Sequence, residues 1–260
     1  MGAVRVGHVD VAYGVEGSGP PVVLLHGTTS SRLSWQLVTP LLSAVRTVVM
    51  PEFPGSGETV DSGGRLEVDD LVAQVIAVAD DLGLARFHLG GWSLGGAIAV
   101  AVAAAAPERV ESLLPVNAWS KTDARMKFTF DLWTRLIETD PALFARYAFA
   151  DGLTLAGHEQ MGGAALEELI PLLGSTLAPG SLRQIELDGR MDLDDRLASI
   201  TAPTLVVGGI EDRWVPIEHS RALAAAIAGA HLIELPCGHL IPTEQAEMLA
   251  SLIIEHTAAR

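Results

Sequence analysis

The stretch Phe87-His88-Leu89-Gly90-Gly91-Trp92-Ser93-Leu94-Gly95-Gly96 decides how the rest of the 260-residue chain reads. An apolar run ends in Gly-x-Ser-x-Gly, and an alanine-rich helix from Ala97 to Ala106 is expected to follow at once, stopping at Pro107. Strand, tight turn and helix together lift a serine out of a sheet. A residue with a Cβ occupies costly backbone space in such a turn. The neighbouring backbone must come very close, so Gly91 and Gly95 carry no side chain. Gly96 lets the helix approach the strand. The helix start beneath Ser93 offers free N–H groups and a positive dipole end to a developing negative charge. The bland alternative is a glycine-rich turn with an incidental serine, and the remaining chain has to choose.

Outward from this stretch, buried strands alternate with amphipathic helices. Val4 to Glu16 alternates apolar and polar residues, as two short strands or one bent strand with a wet face. Val22 to Leu25 and Thr47 to Met50 are continuous apolar runs, expected of strands buried on both faces. Trp35 to Leu42 and Val68 to Leu82 carry helical spacing. Val110 to Val116, Thr204 to Val207 and His231 to Leu235 complete the strands; His219 to Ala228 and Gln245 to Glu255 are the last helices. The expected class is α/β, a mainly parallel doubly wound sheet flanked by helices.

Residues 118–200 break the rhythm. Asp123–Thr139, Pro141–Ala150, Gly163–Leu173 and Ser181–Leu187 read as short helices between glycine and proline breakers. Seven of the 13 aromatic residues lie here: Trp119, Phe128, Phe130, Trp133, Phe144, Tyr147 and Phe149. The expected organisation is a core of residues 1–117 and 201–260 with a helical cap, 118–200, inserted in it. The aromatic residues pack that insertion, wall an apolar pocket, or do both.

Composition removes several function classes. Against 17 Lys and Arg stand 32 Asp and Glu, for a formal net charge of −15. A nucleic-acid partner needs a basic face, so none is expected; an anionic membrane is disfavoured for the same reason. Apolar residues make up 49%, enough for a large core. The single cysteine, Cys237, excludes an intramolecular disulfide. Neither CxxC nor HExxH occurs, so no metal is expected. Met1 to Asp10 lacks the pattern of a signal peptide, and no apolar stretch reaches membrane length. The expected location is the cytoplasm. Nothing in the sequence decides oligomeric state, and a homo-oligomer stays open.

A serine hydroxyl is a weak nucleophile and needs a base, and the base needs an orienting group. Of eight histidines, His239 stands out. It follows Cys237-Gly238 after the last strand, on a loop at the carboxyl end of the sheet, where ligands bind. The orienting acid should lie on another such loop. Asp212 in Gly209-Ile210-Glu211-Asp212-Arg213-Trp214 is the candidate, with Glu211 as fallback. The order Ser93, Asp212, His239 is that of one serine-hydrolase fold.

The chain resembles the α/β-hydrolase fold superfamily over essentially its whole length. The resemblance rests on His26-Gly27, Pro54-Gly55-Ser56-Gly57, Gly91-Trp92-Ser93-Leu94-Gly95-Gly96, Gly209 with Asp212 and Val215-Pro216, and Gly238-His239. Within it, the chain looks like small capped bacterial esterases and lactonases of the 3-oxoadipate enol-lactonase type, with similarity to perhydrolases. Glu52 departs from the Asp usual in those proteins, and only local loop changes are expected from it. The resemblance implies catalytic Ser93, Asp212 and His239 and an oxyanion hole of the Thr28 and Leu94 amides. His26 would fix its loop without moving protons. No cofactor is implied. The expected reaction is hydrolysis of a small-molecule carboxylic ester or lactone through an acyl-enzyme. The same residues could serve carbon–carbon bond hydrolysis, perhydrolysis or a cyclisation step, and a non-catalytic receptor is the third reading. Trp92, Trp119, Trp133 and Trp214 are the candidate pocket walls, Cys237 a packing residue.

Overall fold

The computed structural model describes residues 1–177 and 180–258. Two residues of the 118–200 insertion and the last two of the 201–260 segment thus lie outside the described residues. In chain order, the strands are β1 (Gly2–Val6), β2 (Val9–Gly17), β3 (Pro21–Leu25), β4 (Thr47–Pro51), β5 (Phe87–Trp92), β6 (Val110–Val116), β7 (Leu205–Gly209) and β8 (His231–Leu235). The helices are α1 (Thr39–Leu42), α2 (Val68–Asp81), α3 (Leu94–Ala105), α4 (Ala124–Thr139), α5 (Pro141–Gly152), α6 (Leu155–Met161), α7 (Gly163–Thr176), α8 (Ser181–Gly189), α9 (Ile217–Ala226), α10 (Ile241–Glu244) and α11 (Ala246–His256). No helix among the described residues is long and apolar enough to cross a membrane.

The strands form one sheet in the order β1-β2-β4-β3-β5-β6-β7-β8. β1 and β2 form an antiparallel hairpin, and β2 also runs antiparallel to β4. From β4 to β8 every pairing is parallel. Successive side chains of a strand point to opposite faces, so each central strand feeds two cores. Val23 and Leu25 pack with α2, α3 and α9 on one side. Val22 and Leu24 pack with Trp35, Leu42 and α11 on the other. This double burial is why these strands are continuous apolar runs. α3 is buried on all sides, which its run of alanines and valines permits.

The topology also says where a ligand would bind. From β3 the chain moves outward to β4, then crosses back to β5 on β3's other side. The carboxyl ends of β3 and β5 therefore flank a switch point, the usual ligand crevice of such sheets. Residues His26 to Ser31 leave β3 there, and Ser93 leaves β5 there. The insertion leaves from the end of β6 and returns before β7, carrying α4 to α8.

Three local expectations are corrected. The elbow helix begins at Leu94, three residues before Ala97, because Gly95 and Gly96 serve as helix as well as turn. Trp35–Leu42 is not one helix. A short 3-10 turn, Arg32–Trp35, precedes α1, and Pro40 has no N–H with which to join them. α6 was missed: it is seven residues long, is followed directly by Gly162 and Gly163, and is signalled mainly by Thr154, whose Oγ1 accepts the Gly157 N–H at 3.0 Å.

Glu52 does more than alter a loop. Its side chain is buried and pairs with Arg32 Nη1 at 3.0 Å. It also accepts the Glu58 N–H at 2.7 Å. A methyl group on Gly57, at φ 52°, would lie 2.0 Å from this carboxylate. Without Glu52, Arg32 keeps only Glu58 among the described residues, at 3.2 Å, and the Arg32 and Glu58 N–H groups lose this acceptor. Glu52→Ala should therefore cost about 2 kcal/mol of stability, read from the urea midpoint. A midpoint within error of wild type would contradict the buried pairing.

Candidate active site

Ser93 has φ 58° and ψ −123° and is buried. Its N–H donates to Val116 O at 2.9 Å, and its carbonyl accepts from Ala97 N at 3.0 Å. The positive φ is imposed by crowding. A methyl group on Gly91 would lie 2.1 Å from Gly95 O, and one on Gly95 would lie 2.2 Å from Leu25 O. Such backbone costs about 1–3 kcal/mol and persists only where packing over-determines it.

The loop after β3 runs against the serine. A Cβ on Gly27 would sit 2.9 Å from the Trp92 ring and 3.2 Å from Ser93 Cβ. His26 is fully buried and fixes this loop from within. Its Nδ1–H donates to Gly27 O at 2.7 Å, and Nε2 accepts the Phe53 N–H at 3.0 Å. Burial pulls its pKa from 6.5 down to about 4, so it stays neutral. Between those values the unfolded chain binds a proton that the folded protein refuses, so His26 makes stability fall as pH drops from about 6.5 to about 4. His26→Gln should remove this slope from urea midpoints measured across that window. An unchanged slope would show that the ring is not held neutral.

Thr28 and Thr29 continue the loop under the insertion. Thr28 Oγ1 donates to Asp188 Oδ2 at 2.6 Å, and the Thr29 N–H donates to Gln184 Oε1 at 3.0 Å. Gln184 Nε2 in turn donates to Pro54 O and Ser56 Oγ, at 3.1 and 2.8 Å. α8 thus holds two loops at once. Leu94, fully buried, is the first residue of α3, where N–H groups have no carbonyl of the same helix to meet.

His239 and Asp212 are both buried, with Nδ1 and Oδ2 2.7 Å apart. Asp212 Oδ1 accepts the N–H groups of Trp214 and Val215 at 2.8 and 2.9 Å. Both carboxylate oxygens are thereby engaged, which fixes the imidazole with its Nδ1–H toward Asp212. Glu211, the fallback acid, is exposed. The His239 loop is tied to the elbow through its backbone. Trp92 Nε1 donates to His239 O at 2.8 Å, and the His239 N–H donates to Gly152 O at 2.9 Å.

Two contributors were not singled out by role in the sequence. Asn117, at φ 45°, donates from Nδ2 to the Gly238 and His239 carbonyls at 3.1 and 3.0 Å. Its Oδ1 accepts the Gly209 N–H at 2.7 Å, so one side chain joins the ends of β6 and β7 to the histidine loop. The available signal was an asparagine directly after a buried strand, a type that tolerates left-handed backbone. Glu244 accepts the Gly238 N–H at 3.0 Å and the Thr154 N–H at 3.1 Å. It clamps the histidine loop to the insertion.

The tryptophans do not form one group. The Trp214 and Trp92 rings lie 4.7 and 5.4 Å from the His239 ring. Trp133 packs edge-on against Trp214 at 4.7 Å, one ring further away. Trp119 is fully buried, 6.0 Å from Phe130, with its Nε1 donating to Thr122 Oγ1 at 2.7 Å. Phe128 is 77% exposed and belongs to neither core. Cys237 is fully buried, and burial pushes its thiol up to about 12, as suits a packing residue. Among the described residues, no group of three or more His, Cys, Asp or Glu is gathered to hold a metal.

Residues 22–252 match the model of the alpha/beta hydrolase family. The pyrrolizixenacetamide deacetylase of Xenorhabdus hominickii is 36% identical over 256 residues, covering 97% of this chain and 96% of the relative. The 2-hydroxy-6-oxo-2,4-heptadienoate hydrolase of Pseudomonas putida is 29% identical, covering 98% and 97%. The crystal structure of the enol-lactonase from Burkholderia xenovorans superimposes with a TM-score of 0.90 at 22% identity, covering 99% and 100%, and speaks for the fold.

Proposed function

The chain belongs to the alpha/beta hydrolase family, and from that premise we propose that it hydrolyses a carboxylic ester or lactone of a small to medium apolar molecule through an acyl-enzyme on Ser93. The observation that carries this reading is the buried Asp212–His239 pair, whose histidine carbonyl accepts from Trp92, the residue beside an elbow serine at φ 58°. In the reaction, His239 takes the Ser93 proton as Oγ attacks the acyl carbon. The Leu94 and Thr28 amides receive the oxyanion. His239 then protonates the leaving alcohol, and a water activated by His239 releases the acid. Asp212 holds the tautomer and stabilises the imidazolium. No metal or organic cofactor takes part in this scheme. Residues 118–200 act as the cap. Trp92 and Trp214 wall the pocket beside His239, with Trp133 and Trp119 behind them.

A second reading, amide deacetylation, is favoured by the deacetylase at 36% identity. It uses the same acyl-enzyme and differs in the leaving group, an amine in place of an alcohol. One panel separates the two: p-nitrophenyl acetate, a small lactone, p-nitroacetanilide, and a β-diketone for carbon–carbon cleavage. Faster turnover of the ester and lactone is expected. A fluorophosphonate should label Ser93, located by peptide mass spectrometry. Labelling that persists in Ser93→Ala, or turnover of the diketone alone, would overturn the ester reading.

A further inference from the structure

Asn117 is the chain's only asparagine, and it is buried. It directly follows β6 at φ 45°, a left-handed backbone that asparagine tolerates better than most residues and glycine better still. β6 and β7 part at this point. Val116 lies opposite Val207, and the Asn117 N–H donates to Val207 O at 2.8 Å. Beyond that bond the side-chain amide does the work of a further peptide group. Oδ1 accepts the Gly209 N–H at 2.7 Å, and Nδ2 donates to Gly238 O and His239 O at 3.1 and 3.0 Å. Two carbonyls on one side and an N–H on the other fix which amide atom is the nitrogen. The segments that carry the proposed triad all meet here. Val116 O, in the peptide bond to Asn117, accepts the Ser93 N–H at 2.9 Å. Gly209 O accepts the Asp212 N–H at 3.3 Å. The fit is close, since a Cβ on Gly209 would lie 2.5 Å from Gly238 O. Trp92 Nε1 is a second donor to His239 O, so the loop keeps a tie to the elbow when Asn117 is lost.

We propose that Asn117 is a positioning residue: its side chain extends the sheet to the histidine loop and sets the His239 imidazole in register with both Ser93 and Asp212. The proposal rests on the serine-hydrolase reading above. Glycine would suit φ 45° without strain, but it offers neither the two donors nor the acceptor. Burial means that water does not replace them, so their loss is felt in the loop's position.

Two variants separate this role from packing. Asn117→Gly removes all three side-chain bonds and suits the backbone. Asn117→Asp has nearly the same shape and keeps an acceptor for Gly209, but it turns an oxygen toward two carbonyls. Per folded molecule, both should lower kcat for p-nitrophenyl acetate about ten- to hundredfold, the scale of a misplaced catalytic group, with KM within about threefold. The downfield proton resonance of His239 Nδ1–H should shift or broaden away in both. Wild-type kcat in the folded aspartate variant would leave Asn117 only a tie between β6 and β7 and overturn the proposal. A loss confined to KM, or an Nδ1–H resonance that stays where it was, would do the same. If neither variant folds, the wild type labelled with 15N-asparagine gives a single side-chain amide pair to follow. That pair should exchange at least about a hundredfold more slowly than free asparagine and shift when a fluorophosphonate occupies Ser93. A pair that exchanges freely, or that does not shift, would overturn the proposal. If wild type hydrolyses no ester and Ser93 stays unlabelled, the serine-hydrolase reading falls. The Nδ1–H resonance of the two variants still reports whether Asn117 holds His239 to Asp212, so the two failures are distinguishable.

Discussion

Ser93→Ala should lower kcat/KM for p-nitrophenyl acetate by on the order of 10⁴ or more while leaving the fold unchanged. The substitution removes Oγ and nothing that holds the elbow. The bonds from Ser93 N to Val116 O and from Ala97 N to Ser93 O are backbone bonds, and alanine keeps both. The crowding by Gly91, Gly95 and Leu25 that imposes φ 58° is also untouched. Urea midpoints of the two proteins should therefore agree within about 1 kcal/mol, since both carry a Cβ at the same strained backbone. A variant retaining a tenth of wild-type activity with an intact midpoint would mean that the chemistry lies elsewhere.

His239→Ala should be nearly as damaging, again on the order of 10⁴, because the proposed scheme makes His239 the base of the serine hydroxyl. The loop should keep its course. Its ties to Trp92, Asn117 and Gly152 run through the His239 backbone and that of Gly238. The informative measurement is the double variant. Residues that act as one unit are not additive, so Ser93→Ala combined with His239→Ala should be no worse than either alone. Asp212→Asn belongs in the same series. Its amide cannot accept the Nδ1–H as the carboxylate does while still receiving the Trp214 and Val215 N–H groups. A double variant showing the product of the two single losses would separate Ser93 from His239. If Glu211→Gln hurt more than Asp212→Asn, the acid would be misassigned.

Most of the fold was legible because its central strands are buried on both faces and therefore continuous in sequence. Val22–Leu25, Thr47–Met50 and Val110–Val116 needed only local reading. The first α-helical segment was misread where Pro40 and 3-10 bonding interrupt a helical apolar spacing. α6 escaped because seven residues with little periodic signal cannot be told from a loop.

At the site, residues on short loops at strand ends could be picked out one by one: Ser93, Asp212 and His239 each follow a recognisable strand. Nothing local says that Asp212, and not Glu211, turns inward. That choice is made by the loop backbone, whose Trp214 and Val215 N–H groups draw one carboxylate and leave the other in water. The roles of Asn117 and Glu244 were equally hidden, since each joins segments distant in the chain.

The sequence by itself determined the alternation of strands and helices and the elbow, because hydrophobic period and glycine sterics act between near neighbours. Tertiary structure alone decided which acid meets His239, which tryptophans touch it, and that Asp188 reaches Thr28 across 160 residues with an oxygen left unpartnered. These outcomes depend on how loops from separate strands converge at one sheet edge, and on burial, which no stretch of sequence sets alone.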